Sequence, residues 1–266
     1  MNSIVLIAIN EFQRTIKQPL VIALACLLLL LAILNGAGSV HLLPRFDQLN
    51  DGNDHLLSVG ISNTLMDTQR FMFALGTFIG VLSIIQERSR GQLRVLVTKP
   101  LYRRDIVAGK VLGLSTFLFI ICTIDILLCL SSIMIFYTGP VSINELVIRI
   151  ASYIFTLYLG CTLTLCITIM IGVLFKDYIL ALILSGTLFC FESFYIYPTA
   201  IGEIKNLIPV QLYFTIIDGN GYGYLFYTSI DYCLWLSYSL PYIILMVLLI
   251  SAVLLATMYA FGRDDL

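Results

Sequence analysis

Apolar positions fall in long runs along this chain, and polar positions collect between them. A helix needs about 20 apolar residues to cross a bilayer. Six runs qualify as spans: 19–36, 69–86, 107–137, 147–174, 178–198 and 239–262. The third is longer than a bilayer requires, which predicts a start outside the lipid or a tilt. Residues 2–18 carry a different period. Val5, Ala8, Ile9, Phe12 and Ile16 recur at helical spacing, while Asn10, Glu11, Gln13, Arg14 and Lys17 fall elsewhere. That pattern predicts an amphipathic helix lying on a membrane surface. The basic residues, the apolar run and the small residues Gly36 to Ser39 imitate a secretory leader. The long periodic segment ahead of the run, with Glu11 inside it, argues for a retained span instead.

Composition agrees with the pattern. The chain is 59% hydrophobic and 12% charged, against about 25% charged in soluble domains. The expected fold is an all-α membrane protein, a single transmembrane domain over residues 1–266. Seven cysteines form no CxxC pair and six lie inside apolar runs, so they read as packing residues rather than a disulfide or zinc framework. Charge placement sets the orientation. Eleven of the fifteen Lys and Arg (Arg14, Lys17, seven between Arg88 and Lys110, Lys176 and Arg263) fall on one side of the six-span layout. The positive-inside rule makes that side cytoplasmic and puts both termini there. The expected location is the plasma membrane.

The two larger outer segments differ in character. Residues 37–68 are polar and acidic and hold both histidines, His41 and His55. Their spacing fits no metal-ligand pattern, and a solvated loop is expected. Residues 199–238 are neither apolar enough to span nor polar enough to float. Twelve of the chain's 32 aromatics lie between Tyr195 and Tyr242. Short outer helices at headgroup depth are expected, broken at Pro209 and at Asp218 to Gly221.

The stretch 86–110 concentrates seven of the fifteen cationic residues. After Gly91, the positions Leu93, Leu96, Val97 and Pro100 recur at helical spacing, with Arg94 and Lys99 elsewhere. A short amphipathic bar parallel to the membrane is predicted, with Gly91 permitting the turn into it and Pro100 ending it. Glu87, Gly91, Leu93, Leu96, Pro100, Arg103 and the Gly109-Lys110 pair, in that order and spacing, resemble the signature of type-2 ABC transporter permeases. The closest likeness is to stand-alone membrane subunits that pair with a separate ATPase. The resemblance implies that residues 87–105 form a coupling segment docking on a nucleotide-binding subunit. Glu87, Arg88, Arg90, Gly91, Leu93, Arg94, Leu96, Pro100 and Arg103 would make the contact. It also implies an exporter built from two permeases, either two copies or a copy and a paralogue.

The residues themselves support a division of labour. No G-x-x-x-x-G-K-[ST] phosphate loop occurs, since Gly109-Lys110 opens an apolar run. The chain is therefore expected to be no enzyme by itself and to bind no cofactor or metal directly, leaving ATP and magnesium to the partner subunit. The bilayer, the ATPase and the second permease are the expected partners; nucleic acid is not. The alternative is a membrane component that passes ATPase motion to an extracytoplasmic partner without transporting anything.

Two further sets of residues stand out. Gly76 and Gly80, and Gly109 and Gly113, are small residues at the spacing that lets helices approach closely, and they flank the same loop. They are expected to clamp its two arms together. Asp125 and Glu192 are carboxylates inside apolar runs, where an acid costs on the order of 3 kcal/mol. Each either borders a substrate path or bonds to nearby hydroxyls such as Thr123 and Ser193.

Overall fold

The computed structural model describes residues 3–46, 56–89, 103–136, 143–175, 177–194, 207–221, 224–227 and 230–263. These residues form eight α-helices and no strand. Helix α1 (Ser3–Lys17) leads into α2 (Pro19–Phe46), and the two meet at 72°. Pro19 opens α2, where its missing N–H costs nothing and its fixed φ suits a first turn. Helices α3 (Leu56–Ser89), α4 (Arg103–Phe136) and α5 (Ile143–Leu174) follow, each more than 30 residues long. Then come α6 (Tyr178–Phe194), the short α7 (Pro209–Ile217), a 3-10 turn (Gly219–Gly221) and α8 (Tyr232–Arg263).

Three helices among the described residues are long and apolar enough to cross a membrane, namely Arg104–Ile135, Ile143–Leu174 and Tyr232–Gly262. The bent pair α1–α2 makes a fourth if it is counted as one span. Their outer faces are greasy. Leu20, Leu27, Leu30 and Ile33 stand exposed along α2, as do Leu240, Ile244, Val247, Leu248 and Leu255 along α8. Apolar faces of that extent need lipid or protein against them.

Helix α5 is the hub, packing on α3, α4, α7 and α8. Its most apolar stretch is 72% buried, against 11% for α8 at the rim. A central helix rich in threonine is tolerable because the hydroxyls bond to their own helix. Thr156, Thr162, Thr164 and Thr168 each donate to the carbonyl four residues earlier, at 2.7–3.2 Å. Such back-bonding satisfies a polar side chain without a partner from another helix.

The same device explains a departure from the sequence reading. Residues 37–68, expected as a solvated outer loop, are helical up to Phe46 and again from Leu56. Ile61, Thr64, Leu65, Thr68 and Gln69 share a buried face at helical spacing, and Thr68 donates to the Thr64 carbonyl at 2.7 Å. The apolar run 69–86 is thus the second half of a longer helix.

In the aromatic segment the short helix α7 is bounded at the two expected places: Pro209 begins it and Asp218 caps its far end. Burial pushes the Asp218 carboxyl above the usual carboxylate range, partly offset by the Gly221 N–H. Gly219, Asn220 and Gly221 then adopt three successive positive φ values of 54°, 57° and 87°. Glycine accepts this conformation freely and Asn better than most residues, and the chain doubles back so that the Leu225 N–H reaches the Ile217 carbonyl at 2.9 Å. Several rings expected at the wet headgroup level are core residues instead. Tyr213, Phe226 and Trp235 are fully buried. Tyr213 meets Phe73 and Tyr153 edge-on, and Trp235 donates to the Ile217 carbonyl at 3.3 Å.

Arg149, one of the four cationic residues outside the group of eleven, is buried and pins this segment to α5. Its guanidinium donates to the carbonyls of Leu225, Tyr227 (3.1 Å) and Ile230 (2.7 Å), and pairs with Glu145 one turn earlier. The planar fork of donors suits an irregular backbone with several free carbonyls.

Candidate functional site

Helix α3 ends at Ser89 and α4 begins at Arg103. The stretch between, with Arg90, Gly91, Leu93, Arg94, Leu96 and Pro100, lies outside the described residues. Glu87 and Arg88 fall in the last turn of α3, and Arg103 is the first residue of α4; their side chains are likewise outside the description. What the structure shows is how the two roots of this segment are held.

They are held by α1, which packs along α4. The fit depends on missing side chains. A Cβ at Gly109 would lie 2.7 Å from the Ile7 Cβ and 2.9 Å from the Ile4 carbonyl oxygen, and one at Gly113 would lie 2.5 Å from the Ala8 oxygen. Backbone meets backbone there, as small-residue stripes permit. Phe12 and Phe117 add an edge-to-face contact with centroids 6.3 Å apart.

Polar bonds fix the register. Lys110 is 3% exposed, and its Nζ lies 3.0 Å from Glu11 Oε1 on α1, 3.3 Å from Ser83 Oγ and 3.4 Å from the Ser83 carbonyl on α3. Three contacts match the three donors of an ammonium group. Glu11, itself buried, also faces Arg14 at 3.9 Å. At the start of α4, Asp105 accepts from the Ser3 hydroxyl at 2.5 Å. One short helix therefore grips both arms: α4 at two levels, and α3 through Lys110.

The face of α1 buried against protein is separate from the large apolar residues expected to meet lipid. Ala8, Glu11 and Thr15 are turned inward, while Val5, Ile9 and Ile16 are exposed. Glu11 can be buried because Lys110 is buried opposite it. Sequence reasoning missed Glu11, Ser83 and the structural role of Lys110. The signal was present as a small and polar stripe on α1, at the spacing of the Gly109 and Gly113 groove.

The glycine pairs meet different partners rather than each other. A Cβ at Gly80 would lie 2.0 Å from Thr168 Oγ1, and one at Gly76 would lie 3.3 Å from the Cys161 carbonyl oxygen, both on α5. Gly76 and Gly80 therefore seat α3 on the hub, while Gly109 and Gly113 seat α1 on α4. The clamp expected between the loop's arms is replaced by α1 and the Lys110 bonds.

The arrangement has no nucleophile–base pair, and no group of three potential metal ligands occurs among the described residues. What the contacts do is join α1, α3 and α4 to one another at Lys110. Residues 5–266 match the family model described as ABC-2 family transporter protein. The chain belongs to the ABC-2 transporter family. No curated protein matches the chain closely enough to count as a relative. As an ABC-2 protein it is a multi-pass membrane component of an ABC transporter, not itself catalytic, of a family that generally pairs with an ATPase subunit.

The two carboxylates inside apolar runs separate at this point. Glu192 lies in the last turn of α6, its side chain outside the description. Asp125 on α4 is fully buried, and neither carboxylate oxygen has a hydrogen-bond partner. Its neighbour Thr123 donates to the Phe119 carbonyl at 2.8 Å instead. On α3, buried Gln69 also has neither amide atom bonded. Buried polar groups left unpaired in this way are rare in native proteins.

Proposed function

We propose that this chain is the transmembrane subunit of an ABC exporter, driven by a separate nucleotide-binding subunit that pushes on residues 87–105. Six spans cross the plasma membrane, with both termini and the coupling segment on the cytoplasmic face. Two such subunits, identical or paralogous, enclose the pathway. The partner binds ATP and magnesium, and nucleotide-driven closure moves the coupling segment of each permease.

The observation that carries this reading is the three-way bond of Lys110. It joins Glu11 on α1 to Ser83 on α3 from a position on α4, next to the roots of the segment. A soft attachment would absorb a push; a buried, fully bonded one passes it on to the spans. Such a lever acts only if the segment contacts the two ATPase states differently, because equal contacts shift no equilibrium. Asp125 and Glu192 border the path that opens, and the unpaired oxygens of Asp125 are consistent with a group that finds its partner in another state of the cycle.

The test uses the permease co-purified with its ATPase in mild detergent and then reconstituted in liposomes. The double variant Glu87→Ala, Gly91→Pro should insert normally, yet lose ATP-driven solute movement and the permease's stimulation of ATP hydrolysis. Undiminished activity in both assays would remove the coupling role. Stimulated hydrolysis by the unaltered protein with no solute moved would make it a mechanical transmitter instead.

A further inference from the structure

Two polar groups without partners face each other across one buried seam. On α4, Leu118, Cys122, Asp125 and Cys129 form a stripe at helical spacing, each 0% exposed. On α3, Leu65, Gln69 and Met72 form a stripe that runs on to buried Gly76, and these three are also 0% exposed. Two contacts fix the register between the stripes. A Cβ at Gly76 would lie 3.9 Å from Leu118 Cδ1, and the Cys129 thiol meets the Thr68 side chain. The helices are therefore antiparallel, and counting residues from either contact brings Gln69 to within one turn of the depth of Asp125. Helix α5 closes the third side, where Tyr153 donates to the Leu65 carbonyl at 2.8 Å.

The hydroxyls nearest the seam are committed. Thr68, Tyr153 and Thr156 each donate their one proton to a backbone carbonyl, at 2.7–2.8 Å. Gln69 has two N–H donors, yet neither of its amide atoms has a hydrogen-bond partner, and neither carboxylate oxygen of Asp125 has one. The two side chains therefore stand farther apart than a single hydrogen bond, and a group that bonds both must come between them.

The chemistry of the pair says what that group is. A carboxylate taken out of water calls for positive charge and for hydrogen-bond donors, and a carboxamide offers both a donor and an acceptor. A small cation with several N–H bonds answers both side chains at once. The surroundings suit a cation carried on an apolar body. Leu65, Met72 and Leu118 continue the two stripes, Phe73 lies one turn from Gln69, and the Tyr153 ring stands within electrostatic reach of Asp125. Ring faces attract cations. We infer that Asp125 and Gln69 form a binding site for the ammonium group of an amphiphilic amine, received in the seam between α3 and α4.

The site rests on the exporter reading, in which Asp125 borders the path, and gives that path a substrate class. Its two walls are the helices that flank residues 90–102. With both side chains fully buried, an amine reaches them only when α3 and α4 part.

Photolabelling of the full chain in liposomes tests this, both alone and with its ATPase turning over. The probes are a long-chain alkylamine carrying an aryl diazirine and the alcohol of the same skeleton. The amine should leave adducts on Met72 and Leu118 in the seam, and the alcohol far fewer. Asp125→Asn should cut the amine adducts by roughly tenfold, as expected for the loss of a hydrogen bond to a charged group. Gln69→Leu, which leaves the carboxylate in place, should cut them as well and serves where the first variant fails to fold. Ser131→Ala, on the exposed face of α4, should leave them unchanged. Equal labelling by amine and alcohol, or adducts indifferent to both seam variants, overturns the site. Competition by phosphatidylethanolamine supports it with a lipid as the source of the amine; competition by a short alkylamine alone supports it with a soluble cargo. Seam adducts without ATP-driven movement of any solute keep the site and remove the exporter, whereas transport without seam adducts removes the site alone.

Discussion

Glu11 and Lys110 are a residue-scale problem solved by each other. Taking two charges out of water costs several kcal/mol each, and their attraction recovers this only when every donor and acceptor is used. Lys110 donates to Glu11 and to Ser83. Glu11→Leu takes the carboxylate away from a buried ammonium and should cost about 3–5 kcal/mol, the range for breaking a buried pair. Replacing both members, Glu11→Leu with Lys110→Met, should recover most of that loss. Thermal unfolding of the unaltered protein, Glu11→Leu, Lys110→Met and the double variant in one detergent would give the double-mutant cycle. Additive losses would mean that the two side chains do not depend on each other.

At the scale of elements, the glycines decide which helices touch. A methyl group at Gly113 meets the Ala8 backbone, which can move only by lifting α1, whereas one at Gly80 meets the side chain of Thr168. Gly113→Ala should therefore destabilise the protein by about 1–3 kcal/mol, as overpacking does, and expose the N-terminal segment to protease. Gly80→Ala should cost less, because a rotated hydroxyl relieves part of the clash. Proteolysis that begins in α1 at the same rate in both variants would contradict the assignment. Much of this was legible in the sequence as far as element type goes. The period of 3.6 over residues 2–18 marks an amphipathic helix, and the glycine spacing marks close approach. The partners were not legible, because spacing says that a backbone can come near, not whose. The inward face of α1 was not legible for a related reason: hydropathy puts Glu11 in water unless the chain is known to bring Lys110 opposite. The helical start of α3 was hidden because Thr64, Thr68 and Gln69 look polar, although Thr68 is satisfied within its own helix.

At the scale of the whole molecule, the family was legible in the order of residues from Glu87 to Lys110, and the absence of a phosphate loop pointed to a partner. The stable parts and the unsatisfied parts lie in different places. The outer segment is pinned by Arg149 and a cluster of rings, and the coupling roots by Lys110, whereas Asp125 and Gln69 sit between helices with nothing to bond. A group kept for folding would be paired; a group kept for work need not be. Asp125→Leu should leave the melting temperature unchanged or raise it, since an apolar replacement removes an unmet need, while ATP-driven transport falls sharply. A variant that melts lower but still transports would make Asp125 a packing residue.

Glu11 and its ammonium partner are 99 positions apart, and that distance is also an interval of time. A ribosome completes α1 long before α4 exists, so the first helix must wait with its carboxylate still hydrated. It docks only when a later segment arrives with lysine at the matching depth. Insertion of that segment upside down would carry the lysine away from the carboxylate and leave the newborn helix undocked.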